Sequence, residues 1–404
     1  TAPAGLDHAR AGEILSDLRS RTGEMTEMLT RLAEAESPSG NRAAQARPTE
    51  LIGAELRLLG FEVQRVPGKD VGDHLLADAI DKTDGRPMQL LLGHLDTVWP
   101  IGTIDAMPIR ADEGRLHGPG VYDMKGGIVQ MLFALSALRE RGHRPSLSPI
   151  VFINTDEEIG SPESRGHIER LATQAARVFV LEPSFGPAGS LKTARKGVGR
   201  FVIQVTGRAS HAGLDPEAGR SAILEVTHQI QALFALNDAD RGITVNVGTI
   251  DGGTEPNVVA PEVKAIAEAR AVTAADAEEL EHRIRGLRPI GEGVTIAVEG
   301  GFGRAPMERN HRNGELWVAA EHAAGLIGIE ISEALVGGAS DGNTASPHAP
   351  TLDGLGPVGG GAHAQHEHVV IDRLPERAAL LAVLLMHPPP ENPATGEADI
   401  ATER

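Results

Sequence analysis

The sequence contains no cysteine, few aromatic residues and fewer basic than acidic residues. Its 404 residues include 8 Phe, 2 Trp and 1 Tyr, with 38 Lys and Arg against 56 Asp and Glu. Without cysteine, the chain can form no disulfide, thiolate nucleophile, iron–sulfur cluster or Cys-type zinc site. The formal net charge of −18 argues against a protein that binds nucleic acid, because such binding needs a basic face.

The sequence also lacks a long hydrophobic run. No uninterrupted apolar stretch approaches the roughly 20 residues that span a bilayer. The first 30 residues alternate charged and apolar positions, unlike a secretory signal. We therefore expect no membrane association and a cytoplasmic location, with a secreted or periplasmic location left open in case a signal was removed before Thr1.

Short apolar runs alternate with helical patterns in the first half of the chain. The runs suit buried strands and lie at 75–80, 88–92, 150–153 and 178–181. Helical spacing of apolar residues predicts helices at 12–36, 48–59 and around 128–138. This alternation predicts an α/β fold in which helices flank a mostly parallel sheet.

The pattern changes near residue 198. Predicted elements then follow in the order strand (199–206), helix (219–236), strands (243–250 and 262–270), helix (274–287) and strand (293–299). This β-α-β-β-α-β order is that of an α+β ferredoxin-like unit. We predict that 198–304 is a domain inserted into an α/β domain formed by 1–197 and 305–386. The Pro-rich segment 387–404 is expected to be a disordered tail.

Acidic residues and histidines follow several predicted strands. His94 and Asp96 point to the same side because they are two residues apart at a strand end. Asp123 lies among glycines before a helix, where a helix cap and a metal-bridging carboxylate are both plausible. Glu157 and Glu158 follow another strand, either as a surface turn or as a metal ligand beside a general base.

Two further motifs complete the set. Glu182 closes the run 178–181, and His363, His366 and His368 lie within six residues. Each motif alone has an ordinary structural explanation. Together, two histidines and three carboxylates, one of them bridging, have the composition of a co-catalytic two-zinc site.

The combined motifs closely resemble the dizinc metallopeptidase family of glutamate carboxypeptidase, acetylornithine deacetylase, succinyl-diaminopimelate desuccinylase and aminoacylase. The resemblance runs from about Gly40 to Leu385, and the bacterial glutamate carboxypeptidase branch is the most similar. The motifs that carry it are GHLDTV, GPGVYDMKGG, NTDEEIGS, LEPS, RKGVGRF, ASHAG, GGASDGN and GAHAQHEHV.

The resemblance implies a role for each site residue. The implied metal ligands are His94, Asp123, Glu158, Glu182 and His363, with Asp123 bridging two Zn²⁺ ions, for which Co²⁺ or Mn²⁺ can substitute. Glu157 would be the general base, and Asp96 would orient His94. We select His363 over its two neighbours because the family's ligand precedes a Glu by four or five residues, and Glu367 is four residues further on. The resemblance also implies a cis peptide bond between Asp123 and Met124.

The resemblance places substrate contacts on the inserted domain, which would act as a lid and dimerisation domain. His211 would hold the carbonyl oxygen of the substrate, and Asn257 and Arg270 would grip the rest of it. Gly338 and Ser340 open a helix-like segment whose amides either bind a carboxylate or form a plain turn.

The implied activity is hydrolysis of the amide bond of an N-acyl amino acid, or of a peptide with a free C-terminal carboxylate. The expected partner is thus a small carboxylate substrate, and the expected assembly is a homodimer. One alternative is an N-acyl or N-carbamoyl amino acid amidohydrolase of the same fold, of the deacetylase or aminoacylase type. Another is a metal-binding homologue without catalysis.

Overall fold

The computed structural model describes residues 6–79 and 86–389, and within these ranges the chain divides into two compact units. Unit 1 comprises Thr1–Thr193, Asn310–Ala334 and His348–Arg404, and unit 2 comprises Ala194–Arg309 and Leu335–Pro347. Unit 2 therefore contains the predicted inserted segment 198–304 together with a later segment of the chain. The predicted tail lies outside the described residues from position 390 onwards, as does Ile80 at the end of a predicted strand.

Residues 6–79 and 86–389 form eleven α-helices and sixteen β-strands. The helices are α1 His8–Ser20, α2 Thr22–Glu34, α3 Arg42–Leu58, α4 Thr103–Ala106, α5 Gly126–Glu140, α6 Arg165–Gln174, α7 Ala222–Phe234, α8 Ala274–Arg285, α9 His311–Ile327, α10 Asp341–Ala345 and α11 Leu374–Met386. The strands are β1 Phe61–Val66, β2 His74–Ala79, β3 Met88–His94, β4 Arg110–Asp112, β5 Arg115–His117, β6 Ser148–Asn154, β7 Ala175–Val180, β8 Leu191–Arg195, β9 Gly197–Thr206, β10 Thr244–Gly252, β11 Glu262–Ala271, β12 Thr295–Arg304, β13 Glu333–Val336, β14 Thr351–Leu352, β15 Gly359–Gly360 and β16 His368–Val370.

Two predicted helices differ from the structure at their bounds. The single helix predicted over 12–36 is wrong, because Arg21 has non-helical backbone angles and separates α1 from α2. The helix predicted to begin near residue 48 begins at Arg42, where the side chain of Asn41 accepts a hydrogen bond from the N–H of Ala44. The buried Pro48 therefore lies inside α3 rather than at its start.

Unit 1 is built on a sheet with the strand order β1-β2-β6-β3-β7-β14 in the described part of the chain. Strand β3 runs parallel to both of its neighbours, β6 and β7, and β14 runs parallel to β7. Strands β1 and β2 add an antiparallel edge. Apolar residues of α1, α2, α5, α9 and α11 form one core with the sheet. The predicted α/β class, with helices around a mostly parallel sheet, is confirmed.

Unit 2 contains an antiparallel sheet with the strand order β10-β11-β9-β12. Every second residue of β9 is buried, as alternation in its sequence predicts. Phe201, Ile203 and Val205 pack with apolar residues of α7 and α8 in a core of their own. The element order β9-α7-β10-β11-α8-β12 is the predicted one. The roles of this domain as a lid and in dimerisation remain predictions.

Two small sheets complete the fold. Strands β8 and β13 pair where the chain passes from one unit to the other. Strands β15, β16, β5 and β4 form the other small sheet, which belongs to unit 1. No helix within residues 6–79 and 86–389 is long and apolar enough to cross a membrane.

Candidate metal centre

Parallel strands bring most of the predicted ligands together at the carboxyl ends of the central strands in unit 1. Strand β3 ends at His94, and the short helical turn Glu157–Ile159 follows β6 directly. Glu182 lies two residues beyond the end of β7. Because β3 lies between β6 and β7 and is parallel to both, their carboxyl ends meet. Asp123 precedes α5, and His363 lies in the turn between β15 and β16.

The carboxylate of Asp123 lies between two imidazoles. Its Oδ1 is 3.3 Å from Nε2 of His94, and its Oδ2 is 3.4 Å from Nε2 of His363. The same nitrogen of His94 is 3.4 Å from Oε1 of Glu182, and that of His363 is 3.1 Å from Oε2 of Glu158. The residues thus form two groups that share Asp123. The peptide bond between Asp123 and Met124 is cis, as the resemblance implies.

The buried imidazole of His94 has the arrangement expected of a metal ligand. Its Nδ1 lies 3.0 Å from the carbonyl oxygen of Asp96, which can only accept, so Nδ1 donates. In the neutral ring that binds a metal, the lone pair is therefore on Nε2. That Nε2 is buried and makes no hydrogen bond of acceptable geometry within the described residues. A histidine whose second nitrogen donates to a carbonyl is typical of metal sites. These donor atoms therefore fit a bound cation.

Clusters of donor atoms in the described residues support the same conclusion. Ligand atoms of His94, Asp123 and Glu158 lie within 4.8 Å of one another, and so do those of His94, Glu157 and Glu182. Nitrogen and carboxylate oxygen donors of this kind suit Zn²⁺. Glu157 lies near enough to be a ligand by distance alone, so its predicted role as a base must be tested separately from metal binding.

The electrostatics of the cluster favour positive charge between the carboxylates. Burial by itself would lower the pKa of His94, but the carboxylates around it, Asp123 first, raise its pKa well above the usual value. Asp123 and Glu158 raise the pKa of His363 to about 10. Burial acts to raise the pKa of Asp123, yet the two imidazoles hold it well below its usual range. Burial raises the pKa of Glu158. A divalent cation bound among these carboxylates would offset their negative charge.

Asp96 contacts both His94 and the turn that carries the two glutamates. Its Oδ1 accepts from the N–H of Glu157 and its Oδ2 from the N–H of Glu158, both at 3.2 Å. Its Oδ2 also accepts from Oγ of Ser39 at 2.6 Å. The carboxylate is 3.4 Å from Nδ1 of His94, farther than the carbonyl oxygen of the same residue. Asp96 therefore holds the Glu157–Glu158 turn in addition to its contacts with His94.

The structure distinguishes His363 from the other two histidines of its segment. In the described part of the chain, no ion pair joins His366 or His368 to a carboxylate of the cluster. Instead Nδ1 of His368 lies 2.9 Å from the carbonyl oxygen of His366, and its ring packs beside His117. The side chain of His363 is 53% exposed, and its backbone has the positive φ of 59°. Its role as a ligand stays a prediction that these distances support.

The predicted substrate contacts of the inserted domain lie in unit 2. Nδ1 of His211 accepts from the N–H groups of Gly213 and Leu214, at 3.1 and 3.2 Å, so the proton of a neutral ring lies on Nε2. The N–H of Ala212 donates to the carbonyl oxygen of Asn257 at 2.9 Å, which places Asn257 beside His211. Arg270 donates to a side-chain oxygen of Glu268 and to a backbone carbonyl.

The segment containing Gly338 and Ser340 is held by local hydrogen bonds within unit 2. The hydroxyl of Ser340 caps the short helix α10 and accepts from the N–H of Gly342 at 3.0 Å. The carbonyl oxygen of Gly338 accepts from Nη1 of the buried Arg195 at 3.0 Å. These contacts are those expected of a capped turn. They give no support to the alternative prediction that this segment binds a carboxylate.

The contacts of three residues near the cluster could not be predicted from the sequence. Ser39 belongs to a Pro- and Gly-containing break after α2, yet its hydroxyl donates to Asp96. The hydroxyl of Tyr122 donates to the carbonyl oxygen of Ser184 at 2.6 Å, and burial raises its pKa to about 12. Nζ of Lys192 is 4.0 Å from Oε2 of Glu182. The first two contacts join residues far apart in the chain, and the third spans the connection between β7 and β8, so no helix or strand periodicity predicts them.

The sequence is similar to known metallohydrolases over most of its length. The family model described as Peptidase family M20/M25/M40 matches residues 90–387. Carboxypeptidase G2 of Pseudomonas sp. (strain RS-16) is 30% identical over 369 residues, which cover 89% of this chain and 88% of that protein. Succinyl-diaminopimelate desuccinylase of Alkalilimnicola ehrlichii is 27% identical over 339 residues, which cover 79% of this chain and 88% of that protein.

Solved structures share the fold. Aminopeptidase PepT from Bacillus cereus superposes with a TM-score of 0.73 at 23% identity, covering 90% of this chain and 98% of that one. YXEP protein of Bacillus subtilis, described as a dinuclear metal-binding peptidase from the M20 family, has a TM-score of 0.68 at 16% identity. That match covers 91% of this chain and 98% of that one.

Proposed function

The chain belongs to peptidase family M20/M25/M40 and is a metal-dependent hydrolase, and we propose that two zinc ions serve it in amide hydrolysis. The proposed substrate is an N-acyl amino acid or a peptide with a free C-terminal carboxylate. The observation that carries the proposal is the position of Asp123, which directs one carboxylate oxygen towards His94 and the other towards His363. A bridging carboxylate needs this arrangement.

The ligand sets follow from the two groups around Asp123. His94 and Glu182 would hold one metal, Glu158 and His363 the other, and Asp123 both. We propose Zn²⁺ because the donors are imidazole nitrogens and carboxylate oxygens, with Co²⁺ or Mn²⁺ as substitutes. Zinc held by these residues would polarise a substrate carbonyl and make a bound water more acidic, since one zinc alone can bring the pKa of water to about 7.

Glu157 is the proposed general base. Its side chain lies beside the ligand cluster and the residue is 8% exposed, while its backbone N–H is held by Asp96. The carboxylate would accept a proton from the attacking water and deliver it to the leaving nitrogen, so that one group serves both steps. The short turn Glu157–Ile159 carries both glutamates, whose carboxylates have different neighbours. Ligand atoms of Glu157 lie within 4.8 Å of those of His94 and Glu182, whereas Oε2 of Glu158 is 3.1 Å from Nε2 of His363.

The predicted substrate contacts remain proposals drawn from the resemblance. The Nε2–H of His211 is a suitable donor to a carbonyl oxygen that gains negative charge. Arg270 has a permanent positive charge and a forked donor geometry that match a carboxylate. Asn257 is proposed to bind the rest of the substrate, and Gly338 and Ser340 its carboxylate. A C-terminal Glu is the first substrate to try, because the motifs resemble those of the bacterial glutamate carboxypeptidases.

A panel of substrates tests the proposal. The metal-free protein should hydrolyse nothing, and two equivalents of Zn²⁺ should restore hydrolysis of at least one panel member. The panel contains a dipeptide with a C-terminal Glu, the matching N-acetyl and N-succinyl amino acids and an N-carbamoyl amino acid. The desuccinylase relatives favour the acyl substrates as the second candidate. Absence of zinc-dependent hydrolysis across the panel would contradict the proposed substrate class.

A further inference from the structure

Glu367 is a fully buried carboxylate outside the proposed ligand set, and both of its oxygens accept hydrogen bonds from another part of the chain. Its Oε1 accepts from the N–H groups of Tyr122 and Asp123, at 2.9 and 3.1 Å. Its Oε2 accepts from the N–H of Gly120 at 3.0 Å and from Nε1 of Trp99 at 2.8 Å. One of these donors is the backbone of the proposed bridging ligand itself.

The backbone of Glu367 also closes the turn that carries His363. Its N–H donates to the carbonyl oxygen of Ala364 at 2.9 Å, and the N–H of Ala364 donates to the carbonyl oxygen of Gly361 at 2.9 Å. A Cβ at Gly361 would lie 2.8 Å from the backbone nitrogen of Glu367, and the φ there is +78°. The turn is therefore tightly packed against Glu367.

Glu367 thus joins two ligand-bearing segments that are far apart in the chain. Its side chain holds the backbone of Asp123, and its main chain holds the turn of His363. The two ligands meet where Oδ2 of Asp123 lies 3.4 Å from Nε2 of His363. A change in how Glu367 binds either segment must alter the spacing between these two side chains.

We propose that Glu367 is a positioning residue that sets the spacing of Asp123 and His363 and so determines how tightly they bind the zinc ion they would share with Glu158. This inference rests on the proposed metal centre. An ionised carboxylate has about four lone-pair sites, which match the four N–H groups around it. Glutamine offers one oxygen and a donor NH₂ group in the same shape, so Glu367→Gln leaves two buried donors facing another donor.

Glu225 provides a matched control in unit 2. It is 2% exposed and accepts from the N–H groups of Ile290 and Gly291, at 3.0 and 2.7 Å, and from Nε2 of Gln229 at 2.6 Å. Glu225→Gln therefore removes the same chemistry from a backbone segment that carries no proposed metal ligand. Both variants should unfold at a lower urea concentration than the wild type.

In the experiment, the metal-free protein is titrated with Zn²⁺. Both zinc binding and hydrolysis of the panel substrate that the wild type cleaves are measured at each step. The wild type and Glu225→Gln should each bind two zinc ions with the same two dissociation constants. In Glu367→Gln, the constant of one ion should rise by about tenfold or more, as loss of outer partners does at other sites. Excess zinc should restore its turnover, because Glu157 is unchanged.

The absorption spectrum of Co²⁺ bound at the affected site gives a second measurement. The spectrum would not change if Glu367 only stabilised the fold. It should change in Glu367→Gln and not in Glu225→Gln. If Glu367→Gln does not fold, Trp99→Phe can be used instead, because it removes one of the four donors to Glu367. It should raise the dissociation constant of the same zinc ion by a smaller factor. Wild-type zinc constants and an unchanged Co²⁺ spectrum in the Glu367 variant would overturn the inference. A wild type that binds two zinc ions and hydrolyses nothing contradicts the proposed function alone, and the zinc constants still decide this inference.

Discussion

At the scale of single residues, the sequence predicts which side chains form the candidate metal centre but not the hydrogen bonds that hold them in position. His94, Glu158 and Glu182 could be predicted to meet because each follows a strand of one parallel sheet. The hydrogen bonds of Asp96 to the Glu157–Glu158 turn could not, because a backbone N–H leaves no mark on the sequence. For the same reason Glu367 could serve only to locate His363 along the chain, and its hydrogen bonds to the Asp123 loop became evident in the structure.

His363 can be tested against its neighbour at this scale. His363→Ala removes a side chain 3.1 Å from Glu158 and 3.4 Å from Asp123, so one of the two zinc ions should be lost. Activity should fall by more than the roughly 10–100-fold that loss of an outer partner costs. His366→Ala is the control and should keep both zinc ions and nearly full activity. Metal analysis and steady-state rates measure both, and the reverse ranking of the two variants would contradict the assignment.

At the scale of elements, hydrophobic periodicity predicts the long helices and strands well and fails at interruptions and short pieces. The break at Arg21 is invisible because Leu18 and Met25 are seven residues apart, which preserves the helical phase of the pattern. Strands of two residues, such as β14 and β15, are too short to show any period. Yet β14 extends the central sheet, and β15 lies before the turn that carries His363.

The packing of α5 against the end of β7 gives a prediction at this scale. A Cβ at Gly127 would overlap the backbone carbonyl of Leu181, whereas one at Gly166 in α6 would meet nothing within 4 Å. Gly127→Ala should therefore lower the free energy of unfolding by about 1–3 kcal/mol or more. Gly166→Ala should raise it by about 0.5 kcal/mol, because alanine loses less backbone entropy in a helix. Urea denaturation measures both changes, and equal effects of the two substitutions would disprove the close approach.

At the scale of the whole molecule, the two units have separate cores and the chain carries a formal charge of −18. The element order of unit 2 follows from the sequence, but the membership of Leu335–Pro347 does not. That segment is tied to the unit by hydrogen bonds such as Asn343 Nδ2 to the carbonyl oxygens of Lys196 and Ala305. The proposed zinc ligands all lie in unit 1, where Asp96, Asp123, Glu157, Glu158 and Glu182 concentrate negative charge that two zinc ions would largely neutralise.

The central claim, that two zinc ions and Glu157 together hydrolyse an amide, is tested most directly by titrating the metal-free whole chain with Zn²⁺ in the wild type and in Glu157→Gln. Hydrolysis by the wild type should reach its maximum at two zinc ions per chain. Glu157→Gln should bind the same two ions and lose roughly 10²–10⁴-fold in kcat, the usual contribution of a general base. Undiminished turnover in this variant would show that Glu157 is not the base, and loss of one zinc ion from it would show that Glu157 is a metal ligand instead; either result would contradict the account.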